Sequence, residues 1–174
     1  MNIKTIKTGY LEENCYILTK DKSALIIDPG DDYSKIKQVL TNYNLVGVLI
    51  THNHFDHVGA LDKLLNDYKV KCYNYHNLNE QKYTIGPFEL EVIYTPGHSK
   101  DSISFYFEKQ NILFSGDFLF KGTIGRMDLD GGNEQQMKES LLKLNYFNND
   151  VIIYPGHGSK TTLKDEIKNN LYLQ

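Results

Sequence analysis

Apolar positions along the chain fall mostly into short runs of Ile, Val, Leu, Tyr and Phe separated by Gly, Pro, Asn and Asp, the pattern of strands joined by turns. The runs predict strands at Asn2 to Thr8, Asn14 to Thr19, Ala24 to Asp28, Val46 to Thr51, Lys71 to Tyr75, Tyr83 to Ile85, Phe88 to Tyr94, Ser102 to Phe107, Ile112 to Ser115 and Val151 to Tyr154. Helical spacing interrupts this pattern. Ile36, Val39 and Leu40 share a face within Tyr33 to Asn42, and Leu61, Leu64 and Leu65 do so within Ala60 to Asp67. Asn133 is a candidate N-cap for a helix reaching Tyr146, with Met137, Leu141 and Leu144 along one side, and Lys164 to Leu171 reads as a short closing helix. Hairpins followed by strands mixed with helices predict an α/β protein built on mixed sheets.

A chain of 174 residues, 40% hydrophobic and without internal repeats or linkers, is expected to form one domain over 1–174 with a substantial core. The formal charge is −3 with both signs interspersed, so no long-range positive field favours nucleic acid or an anionic membrane as partner. Stretches such as Leu45 to Ile50 are strand-length and fall short of the ~20 apolar residues that cross a bilayer. Met1 to Lys7 alternates polar and apolar positions and lacks the continuous apolar run of a signal peptide, which makes a cytoplasmic location the expectation. Cys15 and Cys72 lie far apart and read as small core residues in a reducing compartment.

The chemistry concentrates in Thr51-His52-Asn53-His54-Phe55-Asp56-His57. A His-x-His-x-Asp-His run is expected by chance in on the order of five in ten thousand chains of this length and composition, so the motif is specific. On an extended segment His52 and His54 project to the same side and can grip one cation, while Asp56 and His57 can face a second. Three later segments each add a ligand type beside Gly: Thr95-Pro96-Gly97-His98, Ser115-Gly116-Asp117 and Pro155-Gly156-His157-Gly158. Each follows a predicted strand, so loops leaving one sheet edge could bring them together. If Asp117 bridges, one metal takes His52, His54 and His98 and the other takes Asp56, His57 and His157, with room for water at each. Imidazole and carboxylate donors suit zinc first, with iron or manganese as alternatives. His76 is left over and reads as an ordinary surface or core histidine.

On these residues the chain resembles the metallo-β-lactamase superfamily, and within it the small glyoxalase II-like, or hydroxyacylglutathione hydrolase-like, members. The resemblance extends to Glu13-Asn14-Cys15-Tyr16, Asp28-Pro29-Gly30, Leu119-Phe120 and Gly125-Arg126-Met127-Asp128. It implies a four-layered αβ/βα sandwich of two mixed sheets, the seven-ligand dinuclear site, and hydrolysis of a small thioester such as S-D-lactoylglutathione. Two segments depart from the family pattern. Seventeen residues follow His157, where fuller glyoxalase II enzymes carry a helical extension that contacts glutathione, and His98 is followed by Ser99-Lys100-Asp101-Ser102 where Pro-Gly is common.

The resemblance implies catalysis by a water that two cations share and acidify, with Asp56 and Asp117 as the catalytic carboxylates. Asp28 and Thr51 are candidate partners of the histidines. Arg126 either pairs with a substrate carboxylate or forms a salt bridge with Asp128 or Asp130. Tyr10, Phe55 and Phe118 either line the pocket or pack in the core. Two rival readings follow: a persulfide dioxygenase-like oxygenase with one iron on His52, His98 and Asp117, and a catalytically inert metal-binding domain.

Overall fold

A computed structural model describes residues 1–174. The first sheet runs β1 (Asn2–Thr8), β2 (Glu13–Lys20), β3 (Ser23–Ile27), β4 (Asn44–Leu49) and β5 (Cys72–Tyr73) in that spatial order, antiparallel up to β3 and parallel from there. The switch to parallel pairing needs crossovers. These are α1 (Tyr33–Leu40) between β3 and β4, and α2 (Phe55–Val58) with α3 (Leu61–Tyr68) between β4 and β5.

The second sheet contains β6 (Lys82–Ile85), β7 (Phe88–Tyr94), β8 (Ile103–Phe107), β9 (Ile112–Gly116), β12 (Ile152–Pro155) and β13 (Thr161–Thr162), ordered β13-β12-β9-β8-β7-β6. Its one parallel pair, β9 with β12, encloses the small hairpin β10 (Leu119–Phe120) and β11 (Thr123–Ile124) and the helix α4 (Glu134–Leu142). The chain closes with α5 (Leu163–Asn169).

Alternation along the strands builds the layers. Leu25, Ile27 and Leu49 point inward and meet Leu90, Val92, Phe105 and Phe114 of the second sheet. Their neighbours Ala24, Ile26 and Val48 point outward beneath Ile36 and Leu40 of α1 and Leu64 of α3. On the far side Ile93, Leu113 and Ile153 pack against Met137 of α4, with Leu144 and Leu163. Both faces of the central strands β2, β3, β8 and β9 are therefore dry, which is why these strands read as nearly continuous apolar runs. The result is the expected four-layered αβ/βα sandwich, and no helix is long and apolar enough to cross a membrane.

Differences from the sequence reading lie at element ends. The strand expected over Val46 to Thr51 ends at Leu49, because the chain then leaves the sheet and Thr51 N donates to Asp28 Oδ1 at 2.7 Å. Asn133 caps α4 as expected, its Oδ1 accepting from Gln136 N at 2.9 Å, but the helix tightens into a 3₁₀ turn over Lys143–Tyr146. Elements of two to four residues, such as α2, β10, β11 and β13, are too short for periodicity to reveal.

Candidate metal centre

Four loops and one short helix converge at one edge of the sandwich. His52 and His54 leave β4, Asp56 and His57 sit on α2, and His98, Asp117 and His157 follow β7, β9 and β12. Local backbone demands place glycine beside them. Gly116 adopts φ +52°, a left-handed conformation that favours glycine. A Cβ on Gly156 would collide with Asp117 Oδ1 and lie 2.7 Å from His57 Cε1, so the β12 loop must be bare for the cluster to close.

Proton placement follows from the acceptors around each imidazole. His98 Nδ1 faces Arg126 O at 2.8 Å and His157 Nδ1 faces Leu11 O at 3.1 Å; a carbonyl accepts, so both Nδ1 atoms donate. His57 Nδ1 donates to Asp28 Oδ2 at 3.0 Å. Thr51 Oγ1 donates to the same Asp28 oxygen at 2.6 Å, which leaves it free to accept from His52 Nδ1 at 3.1 Å. With each Nδ1 engaged by these partners, the Nε2 atoms of His52, His57, His98 and His157 point into one space. Asp28 and Thr51 are thus the polar partners that set ring orientation.

These donor atoms face one another at close range. His54 Nδ1 lies 3.1 Å from His52 Nε2 and 2.9 Å from His98 Nε2. A cation bound through nitrogens at about 2.0–2.1 Å in tetrahedral geometry spaces its donors roughly 3.3 Å apart, close to what these three atoms show. His157 Nε2 is 3.1 Å from Asp56 Oδ2, and His57 Nε2 is 3.8 Å from the same oxygen. Asp117 spans the two groups, with Oδ1 3.4 Å from His57 Nε2 and Oδ2 3.5 Å from His98 Nε2 and 3.7 Å from His157 Nε2. His57 Nε2 and Asp117 Oδ1 are buried and make no hydrogen bond. A buried donor set left unpaired in this way is costly without a cation, and the His and Asp clusters fit a dinuclear metal site.

The electrostatics differ across the cluster. Burial pushes His52 well below the ordinary imidazole range, and the neighbouring His57 and His98 push it further. Burial and His98 also lower His54. At His57 burial opposes protonation, but the Asp117 and Asp28 carboxylates outweigh it and hold the ring well above its usual range. His157 is raised against burial by Asp56 and Asp117. Asp56 and Asp117 stay below the usual carboxylate range although burial opposes this, held there chiefly by His157 and His57 respectively.

The remaining candidates separate clearly. The Arg126 side chain forks onto Asp128 with bonds of 2.7 and 2.6 Å at the surface, while its main-chain carbonyl orients His98. Phe118 is buried in the outer core, whereas Tyr10 and Phe55 are exposed and stack with ring centres 6.3 Å apart. These two rings, with Leu11 and Asp56, line a cavity of about 340 Å³ beside the cluster. His76 lies at the surface.

The sequence placed Glu13 and Asn14 in a run that carries the family resemblance but gave neither a role. The Glu13 carboxyl is buried behind His57, its Oε2 accepting from Thr8 Oγ1 at 2.7 Å, and burial pushes its pKa up to about 9. Asn14 Nδ2 donates to Pro155 O at 2.9 Å and Gly158 O at 3.0 Å, holding the His157 loop. Their signal is two polar residues opening an otherwise apolar strand that is buried on both faces.

Comparisons with known proteins agree with this geometry. A family model described as "Metallo-beta-lactamase superfamily" matches residues 8–82 and 77–157. The chain is 33% identical to "Probable metallo-hydrolase YqgX" of Bacillus subtilis (strain 168), covering 99% of this chain and 98% of that one. It is 32% identical to "Hydroxyacylglutathione hydrolase GloC" of Haemophilus influenzae, again covering 99% and 98%. Among solved structures it superimposes on the BLEG-1 B3 metallo-beta-lactamase with a TM-score of 0.94, at 33% identity and covering 99% of both chains. With two sheets, four loops that gather His and Asp at one edge and full-length similarity in agreement, the chain belongs to the metallo-β-lactamase superfamily.

Proposed function

We propose that this chain is a dinuclear metallohydrolase that cleaves a small acyl thioester, of the hydroxyacyl-thiol class, into an acid and a free thiol. The observation that carries the reading is the convergence of four Nε2 atoms, His54 Nδ1, Asp56 and Asp117 on one space, at spacings that suit the ligands of a cation. His52, His54 and His98 would hold one cation, Asp56, His57 and His157 the other, and Asp117 faces both. When bound, such a pair supplies Lewis acidity to a carbonyl oxygen and to a shared water. Ser99 and Ser115, the serines next to these segments, are buried and donate to Asp101 and to Leu119 O, so water is the attacking species. Asp56 Oδ2, 3.1 Å from His157 Nε2, is placed to orient that water and take up its proton.

The thioester class is supported by 32% identity to a hydroxyacylglutathione hydrolase over nearly the full length of both chains. The cavity of about 340 Å³ lies in the range of small-ligand sites, and its exposed Tyr10 and Phe55 rings offer apolar contact to an acyl or thiol substituent. Arg126 would meet a substrate carboxylate by exchanging Asp128 for it. Similarity to a B3 metallo-β-lactamase supports a second reading, β-lactam hydrolysis at the same centre.

The test is a substrate panel on freshly purified protein, before and after removal of metal: S-D-lactoylglutathione, simple acyl thioesters, a cephalosporin, and glutathione persulfide with oxygen consumption monitored. Thioester turnover that disappears on chelation, returns with added metal and is abolished by Asp56→Ala supports the proposal. Oxygen uptake on the persulfide, or β-lactam turnover without thioester turnover, contradicts it.

A further inference from the structure

Asn53 and Asp101 link the two loops that carry His52, His54 and His98. Asn53 sits between His52 and His54 in the chain, and its Nδ2 donates to Asp101 Oδ2 at 2.5 Å. The other carboxylate oxygen accepts from Ser99 Oγ at 2.7 Å, and Ser99 directly follows His98. One side chain therefore joins the chain neighbours of all three histidines. At the roots of the same loops, Ile103 N donates to Thr51 O at 2.9 Å, so the loops meet at two levels.

Asp101 is 9% exposed, and the donors to its oxygens, Asn53 and Ser99, are neutral. Closing the turn does not require this carboxylate, because Ser99 Oγ and Ser102 Oγ already share a hydrogen bond of 2.8 Å. What the carboxylate adds is the bond across to Asn53, and through it a fixed spacing between the β4 loop and the β7 loop.

We infer that Asp101, acting through Asn53 and Ser99, is a positioning residue that sets the geometry of the His52, His54 and His98 cation site and leaves the Asp56, His57 and His157 site independent of it. The inference rests on the dinuclear reading above. Polar groups that orient metal ligands are typically worth ten- to hundredfold in metal affinity, and here the effect falls on one cation of two.

The experiment titrates Zn²⁺ into metal-free full-length protein against a competing chelator, with Co²⁺ absorption reporting coordination geometry and the metal-free melting temperature followed in parallel. Wild type is compared with Asp101→Ala and with the reciprocal double variant Asn53→Asp/Asp101→Asn, which restores the bond with donor and acceptor exchanged. We expect Asp101→Ala to weaken one dissociation constant by about ten- to hundredfold and change the Co²⁺ spectrum, with the other constant unchanged and the double variant recovering most of the loss. Two unchanged constants overturn the inference. So do two affinities that fall together with the metal-free melting temperature and without recovery in the double variant, since Asp101 would then be closing a loop. If Asp101→Ala does not fold, Asn53→Ala removes the same inter-loop bond and carries the same outcomes. A wild type that takes up fewer than two cations overturns the dinuclear reading and this inference with it, whereas unchanged constants beside a two-cation wild type overturn the inference alone.

Discussion

The two halves of the metal centre are built on opposite electrostatic plans. In the group His52, His54 and His98, burial and neighbouring imidazoles hold His52 and His54 below the ordinary imidazole range. Asp56, His57 and His157 are backed by carboxylates on several sides: Asp28 behind His57, and Asp117 in front of both rings. There the imidazoles are held above their ordinary range. A site of the first kind is ready for a cation without losing protons, while a site of the second kind attracts a cation strongly but must first release protons to it. Asp117, with one oxygen toward His57 and the other toward His98, is the group that faces both halves.

Removing that group is the strongest way to break the comparison. Asp117→Ala is expected to reduce bound metal below two per chain and to lower kcat/KM for thioester hydrolysis on the order of a thousandfold or more, since cation pairs contribute several kcal/mol of transition-state stabilisation. Elemental analysis alongside steady-state kinetics checks it, and retention of both cations would show that the halves do not depend on Asp117.

Lowering the pH should then separate the halves. Protons compete for His57 and His157 at higher pH than for a free imidazole, and for His52 and His54 at lower pH. As pH falls, the cation on Asp56, His57 and His157 is expected to leave first. Stoichiometry and Co²⁺ spectra recorded during acid titration report the order of release, and the reverse order would contradict the contrast.

Glu13 sharpens the picture behind the second half. Its acid form persists in the folded metal-free protein up to about 9, whereas its ordinary value is 4.5. The folded state thus keeps a proton that the unfolded chain has lost, so stability falls as pH rises between those values, by roughly 1.4 kcal/mol per pH unit at most. Glu13→Gln cannot ionise and escapes this slope. Its melting temperature relative to wild type is expected to rise steadily from pH 5 to pH 8 in thermal scans without metal, and a constant difference would show that Glu13 is ionised in the fold.

The smallest effect is expected at Arg126. Its exposed pair with Asp128 contributes little to folding, and the carbonyl that orients His98 survives substitution. Arg126→Ala should leave metal content and melting temperature unchanged and raise KM, without lowering kcat, for substrates that carry a carboxylate. Loss of metal instead would give the side chain a structural part that the contacts do not show.

Much of this arrangement was legible in the sequence. Strands buried on both faces left apolar runs long enough to read, and each ligand-bearing segment could be seen to follow one, which is why the cluster at one sheet edge was foreseeable. The chain's exit from β4 at Leu49 was not, because it is set by Asp28, a residue 23 positions earlier that receives Thr51 N and Thr51 Oγ1. Nor could periodicity reveal α2, a single turn of four residues. The role of Glu13 was not legible because it lies in what buries the carboxyl, nor was the Asn53 to Asp101 bond, because its partners are 48 residues apart.

The most direct test is a crystal structure of the metal-loaded chain with anomalous diffraction measured at the absorption edge of the bound element. Two anomalous peaks, about 3.5–4 Å apart, one within bonding distance of His52, His54 and His98 and the other of Asp56, His57 and His157, are the predicted result. A single peak on His52, His98 and Asp117, or none at the cluster, would contradict it.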